Sequence, residues 1–128
     1  MLTSVTIGSG VTSIDGGAFG DCPGLTSIII PDRVISIGKD AFRSCKGLTS
    51  VTIGSGVTSI GSNAFSGCTN IASATLPTTA ISHIPKDSLK TVIINGGETI
   101  DSSAFEGCTG LTSVTIPNSV TSIGEAAF

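Results

Sequence analysis

Charge is scarce in this chain. Asp, Glu, Lys and Arg make up 12% of the 128 residues, about half the usual share, and the mean hydropathy is +0.47. A disordered chain would be polar and charged, so order is expected here, with Ser, Thr and Gly in the places that charge normally fills. Trp and Tyr are absent, which removes the aromatic platforms on which bases stack. A net charge of -3 and a pI near 4.7 further argue against nucleic acid as the main partner. Histidine occurs once, at His83, with no Ser, Cys or carboxylate recurring around it at a defined spacing. An enzyme needs a concave pocket with convergent titratable groups; the chain is read as non-enzymatic and without a cofactor. Long hydrophobic runs are missing too. Ile28-Ile29-Ile30 and Val92-Ile93-Ile94 fall far short of the ~20 residues of a membrane-spanning helix, so no membrane insertion is expected. No signal-peptide pattern opens the chain.

What the chain has is repetition. Leu2 to Ile14 reads LTSVTIGSGVTSI, Leu48 to Ile60 repeats those residues, and Leu111 to Ile123 changes only GSG to PNS. Leading aliphatic residues stand at Leu2, Leu25, Leu48 and Ile71, each 23 residues after the last, then at Leu89 and Leu111. Self-similarity at such a period signals stacked units that share one continuous core.

The unit reads L-x-x-V-x-I-(P/G)-x-x-V-x-x-I-G-x-x-A-F-x-x-C-x-x. TSVTI alternates polar and apolar residues, the pattern of a strand with one buried face, and Thr and β-branched residues suit it. Val5, Ile28, Val51, Ala74, Val92 and Val114 are expected to point inward, as are Ile7, Ile30, Ile53, Leu76, Ile94 and Ile116. A turn follows, built from Pro, Gly and Asn. VTSI then forms a second extended piece with Val11, Val34, Val57 and Val120 inward. The unit closes on a non-strand G-x-x-A-F-x-x-C segment that holds all five Phe: Phe19, Phe42, Phe65, Phe105 and Phe128. One Phe per coil predicts an aromatic stack that fills the wide end of each coil.

This unit resembles the BspA-like leucine-rich repeat, carried by LTSVTIPNSVTSIGEAAF at Leu111 to Phe128 and AFSGC at Ala64 to Cys68, and the resemblance covers essentially the whole chain. It implies a mainly β solenoid: a leucine-rich-repeat right-handed superhelix of about six coils, each with short strands and turn or 3-10 segments. It also implies a cell-surface or secreted protein that adheres to proteins of a host or of neighbouring cells. Residues 1–128 are read as one domain and as a fragment of a longer array.

Cys22, Cys45, Cys68 and Cys108 take the same place in successive units. There they act as small buried apolar residues; a disulfide remains an alternative if Cβ geometry allows it, and no C-x-x-C pair supports metal. The rhythm breaks near residues 71–105. The x-G-C-x-x tail is missing between IASATL and LKTVII, and Ser88-Leu89 falls where Ala-Phe belongs, so Leu89 is read as both ending one coil and beginning the next. A shortened coil is favoured here over a local site at His83.

Two surfaces stand as candidates. The first is the outward row of the leading strand: Ser27, Ile29, Ser50, Thr52, Ser73, Thr75, Ile93, Ser113 and Thr115, in which Ile29 and Ile93 occupy Thr slots. Its bland alternative is that Ser and Thr simply suit an exposed strand. The second is a basic patch of Arg33, Lys39, Arg43 and Lys46, whose alternative is ordinary solvated surface. The expected role is a protein-interaction or adhesion module, with a structural spacer as the rival. The ends carry no polar caps, so either a fragment or end-to-end self-association is expected.

Overall fold

In the computed structural model, which describes residues 1–128, ten short strands form three parallel ladders. The leading segments make the largest: β2 (Ser27–Ile30), β4 (Ser50–Ile53), β6 (Ser73–Pro77), β7 (Thr91–Gly96) and β9 (Ser113–Thr115) lie side by side in that order. The VTSI segments make two smaller ladders. β1 (Ser13–Ile14), β3 (Ser36–Ile37) and β5 (Ser59–Ile60) form one; β8 (Thr99–Ile100) and β10 (Ser122–Ile123) form the other. The chain is therefore a β-solenoid. Its coils begin at Leu2, Leu25, Leu48, Ile71, Leu89 and Leu111, the last of them incomplete.

Period-2 alternation puts the expected residues in the core. Ile28, Ile30, Val51, Ile53, Ala74, Leu76, Val92 and Ile94 are buried on the inner face of the large sheet, with Val34 and Val57 behind the turns. Each fully buried Ile, Leu or Phe contributes about 1.5–3 kcal/mol. No polar or charged residue is buried.

The end coils depart from the template. Val5 and Ile7 are half-buried and join no ladder, while Ile116 is exposed and lies beyond β9. The inward positions of the leading strand are dry only where a coil covers them on both sides, although Ile14 in the second strand of the first coil and Ala127 in the last coil are buried. The Phe stack departs as well. Phe19, Phe42 and Phe65 stack at 5.3 and 5.1 Å, and Phe105 and Phe128 at 5.1 Å, but the two groups are separate. Between them the fourth coil runs only from Ile71 to Leu89. A six-residue 3-10 helix, Thr78–His83, replaces its second strand and closing segment. It buries Ala80 and Ile81, Ile84 is buried just after it, and Leu89 begins the fifth coil.

The closing segments reveal two slots that alternation does not predict. The residue before Ala-Phe has positive φ in every regular coil: Gly17 (70°), Asp40 (59°), Asn63 (61°), Ser103 (57°) and Ala126 (54°). The residue before Cys does too, at Asp21 (56°), Ser44 (60°), Gly67 (83°) and Gly107 (80°). Gly, Asn and Asp tolerate that conformation best.

A third slot follows the VTSI strand. Gly38, Gly61 and Gly124 lie against the backbone of the coil beneath. A Cβ on each would come 2.7 Å from a carbonyl carbon, that of Asp15, Gly38 and Asp101 in turn. The same slot holds Asp15 in the first coil and Asp101 in the fifth. Nothing regular lies beneath either of these.

Pro77 creates one further irregularity. Where Gly54 donates its N–H to Ile30 O at 2.8 Å, Pro77 has no N–H to give to Ile53. The side chain of Asn95, from the coil above, reaches down and donates Nδ2–H to Ile53 O at 2.9 Å.

Candidate binding face

Strand register decides which outward residues meet. In the large sheet Ile29 pairs with Thr52, Thr52 with Thr75, Thr75 with Ile93 and Ile93 with Thr115. One step along the strand lies a second row, Ser27, Ser50, Ser73, Thr91 and Ser113. All nine candidates thus share one face, and Thr91, missed because it stands where the others have Ser, completes it. Adjacent strands are about 4.8 Å apart, so the face is about 19 Å long, and Ile29 and Ile93 stand about 14 Å apart on it.

The chemistry of the face is simple. No strand of the sheet contains a charged residue. Ile29 is 66% exposed and Ile93 44%, whereas Thr52 and Thr75 between them are half-buried. Two apolar side chains rise from a neutral hydroxyl surface with little bound charge to desolvate. Beside Ile29, a small groove of about 210 Å³ is lined by Val5, Thr6 and Ile7 of the first coil.

The basic residues do not lie on this face. Arg33 stands in the turn after β2, Lys39 and Arg43 in the closing segment, and Lys46 just before the next coil; all four are exposed. Arg43 lies 3.8 Å from Asp40. They are spread along one coil, from the turn after β2 to the start of the next coil.

All four cysteines are free. Cys45 and Cys68 are buried, and each thiol donates to the Phe carbonyl of the coil below, Phe19 O at 3.1 Å and Phe42 O at 3.0 Å. Burial pushes the Cys68 thiol up to about 11 and raises Cys45 and Cys108 as well. In the short coil, burial and then the nearby Lys86 charge lower His83. Burial also lowers Lys86, whose ammonium donates to Ile84 O at 2.8 Å and to Ile81 O. That lysine ties down the carbonyls left at the end of the 3-10 helix.

Comparison with known proteins fits this geometry. A family model described as the BspA type leucine rich repeat region matches in six copies, over residues 1–95 and 85–128. The chain belongs to the BspA-type leucine-rich repeat family. Solved structures of similar fold come from several bacteria. A leucine-rich repeat protein from Eubacterium ventriosum superposes with a TM-score of 0.71 at 29% identity, over 99% of this chain and 36% of that one. The T. pallidum leucine-rich repeat protein gives 0.57 at 30% identity, over 92% and 47%. A leucine rich cell surface protein from Faecalibacterium prausnitzii gives 0.53 at 33%, over 100% and 38%. The chain thus spans less than half the length of each of these proteins. No curated protein matches it. The BspA-type repeat makes this chain a protein-interaction type of scaffold, long in surface for its core.

Proposed function

We propose that this chain is a non-enzymatic adhesion module of a cell-surface or secreted protein, binding surface proteins of a host or of neighbouring cells. The observation that carries the reading is the register of the large sheet, which sets Ile29 and Ile93 on one row of an uncharged hydroxyl face. Exposed apolar anchors amid neutral polar groups give binding energy without a charge-desolvation cost. The family, and a solved neighbour described as a cell surface protein, support the location.

The test is surface plasmon resonance of the immobilised chain against a panel of host extracellular glycoproteins, beside an Ile29→Thr, Ile93→Thr variant. Burying the exposed parts of both side chains is worth about 2–3 kcal/mol, so the variant should bind at least about thirtyfold more weakly. Unchanged binding would move the site to the turns or the basic coil. No binding across the panel would favour the spacer reading.

A further inference from the structure

The short fourth coil leaves a gap in the solenoid wall. The ladder of β1, β3 and β5 ends at β5, and the ladder of β8 and β10 starts afresh above the 3-10 helix. A cavity of about 270 Å³ lies in the gap. Thr78, Thr79 and Ser82 of the helix form one wall, and Asp101, Ser102 and Ser103 of the fifth coil form the other.

Main-chain groups also face this gap without partners. In regular coils the residue after the VTSI strand donates its N–H to the coil below: Gly38 to Ile14 O, Gly61 to Ile37 O and Gly124 to Ile100 O, all at 2.7 Å. Asp101 N–H, in the same slot, makes no such bond. Lys39 O and Ala41 O accept from Gly17 and Phe19 of the coil below. Their counterparts, Ser102 O and Ala104 O, accept from none. The Asp101 side chain occupies a place that glycine keeps clear at Gly38, Gly61 and Gly124, where a regular coil lies beneath. A regular strand cannot fill the gap, because its backbone would meet the Asp101 Cβ as it would meet a Cβ at Gly61.

We propose that this notch is a binding site for a neutral sugar residue. The lining carries no Lys or Arg, so an anion finds no counter-charge there, and its single carboxylate is too few for a hard cation. What remains are the hydroxyls of Thr78, Ser82, Ser102 and Ser103 (that of Thr79 already donates to Val57 O at 2.9 Å), one carboxylate, an N–H and carbonyls without protein partners, around a space too small for a drug-sized ligand. A hexose ring presents hydroxyls that both donate and accept. Two adjacent sugar hydroxyls donate to the Asp101 carboxylate, and a third accepts from Asp101 N–H. Such charge-assisted bonds are the strong ones in a site of this kind.

The test uses the whole chain, labelled with ¹⁵N, and methyl glycosides of glucose, galactose, mannose and N-acetylglucosamine. With at least one of them, amide shifts should saturate in the millimolar range, confined to Thr78–Ser82 and Asp101–Ala104. Asp101→Gly restores the residue that regular coils carry, so the fold survives it, and affinity should fall at least about tenfold. Asp101→Asn, which keeps the shape, should fall by a similar factor. No saturable shift with any of the four at about 50 mM, or undiminished binding by Asp101→Gly, would overturn the proposal. So would stronger shifts at these residues from inorganic phosphate. A high-mannose glycopeptide then separates the sources. Tighter binding than the methyl mannoside points to glycoprotein glycans, equal binding to free sugar, and either upholds the site.

Discussion

Gly61→Ala tests the packing rule on which the solenoid depends. The Cβ it adds would press on the Lys39 nitrogen and lie 2.7 Å from the Gly38 carbonyl carbon. Neither atom can retreat freely. Gly61 N–H is bonded to Ile37 O at 2.7 Å, and Asp40 N–H to Ser62 O at 3.1 Å, so the coils are clamped on both sides of the contact. Overpacking of this sort costs about 1–3 kcal/mol, and stretching the two flanking bonds adds about 1 kcal/mol. Replacing glycine stiffens the unfolded chain and returns about 0.4–1 kcal/mol. The net loss is about 1–3.5 kcal/mol. At about 4 °C per kcal/mol for a chain of this size, Tm should fall by about 4–14 °C in a circular-dichroism melt. Gly8→Ala is the control: nothing lies within 4 Å of its Cβ and its φ is ordinary, so its Tm should hold or rise slightly. A Gly61→Ala melt within about 1 °C of the parent, or an equal loss in Gly8→Ala, would refute the idea that coil spacing is set at this slot.

Two further outcomes follow from single contacts. Asn95→Ala should destabilise the chain in urea because Ile53 O loses its only side-chain donor, whereas in a Pro77→Ala background the new N–H can take over. The double-mutant cycle should show a coupling of about 1 kcal/mol, and additivity would sink the account. The cysteine column gives a pH signature. Burial holds the Cys68 thiol up at about 11 from an ordinary 9.0; below 9 it is protonated in both states, and above that only the unfolded chain ionises. Stability contributed by the protonated thiol is therefore full below about pH 9 and lost between pH 9 and 11, a decline that should flatten in Cys68→Ala; an equal decline in that variant would refute the assignment.

Much of this architecture is legible in the sequence because repetition multiplies weak signals. One TSVTI is ambiguous; the same alternation at a 23-residue spacing fixes the inner face, and the inward residues of coils two to five are buried as expected. The binding-face candidates come together for the same reason, since equal spacing means equal register. Other features are set by neighbours and cannot be read locally. Ile116 and Val5 match their buried counterparts residue for residue and differ only in having one coil beside them. The 3-10 helix at Thr78–His83 arises from what the fourth coil lacks, and absence of A-F-x-x-C predicts a gap without predicting what fills it. The positive-φ slots did carry a signal in Gly17, Asp40, Asn63 and Gly67, but it is blurred by Ser103 and Ala126, which accept the strain. Arg33, Lys39, Arg43 and Lys46 are near in sequence and all exposed, but off the large sheet, and nearness in sequence does not by itself set where their charges meet on a coil.

The glycine slot also bears on end-to-end association. Hydrophobicity alone says that the ends attract: beneath the first coil lies a cavity of about 430 Å³ lined by Val5, Val11, Ile14 and Phe19, and at the other end Ile123 and Phe128 are more than half exposed. The first and last coils share the same repeat template, differing at GSG against PNS and at DGG against GEA, so a second copy could continue the stack in a head-to-tail contact that never closes. Asp15 opposes this. It stands where Gly38, Gly61 and Gly124 accept the coil beneath. The incoming Gly124–Glu125 backbone of a second copy would meet the Asp15 Cβ, as the coil beneath would meet a Cβ at Gly38 or Gly61, and overpacking of this sort costs about 1–3 kcal/mol. The chain is therefore expected to sediment as a monomer at concentrations where Asp15→Gly forms growing head-to-tail oligomers. If the parent chain associates as strongly as Asp15→Gly, the slot does not govern stacking, and the apolar ends alone decide it.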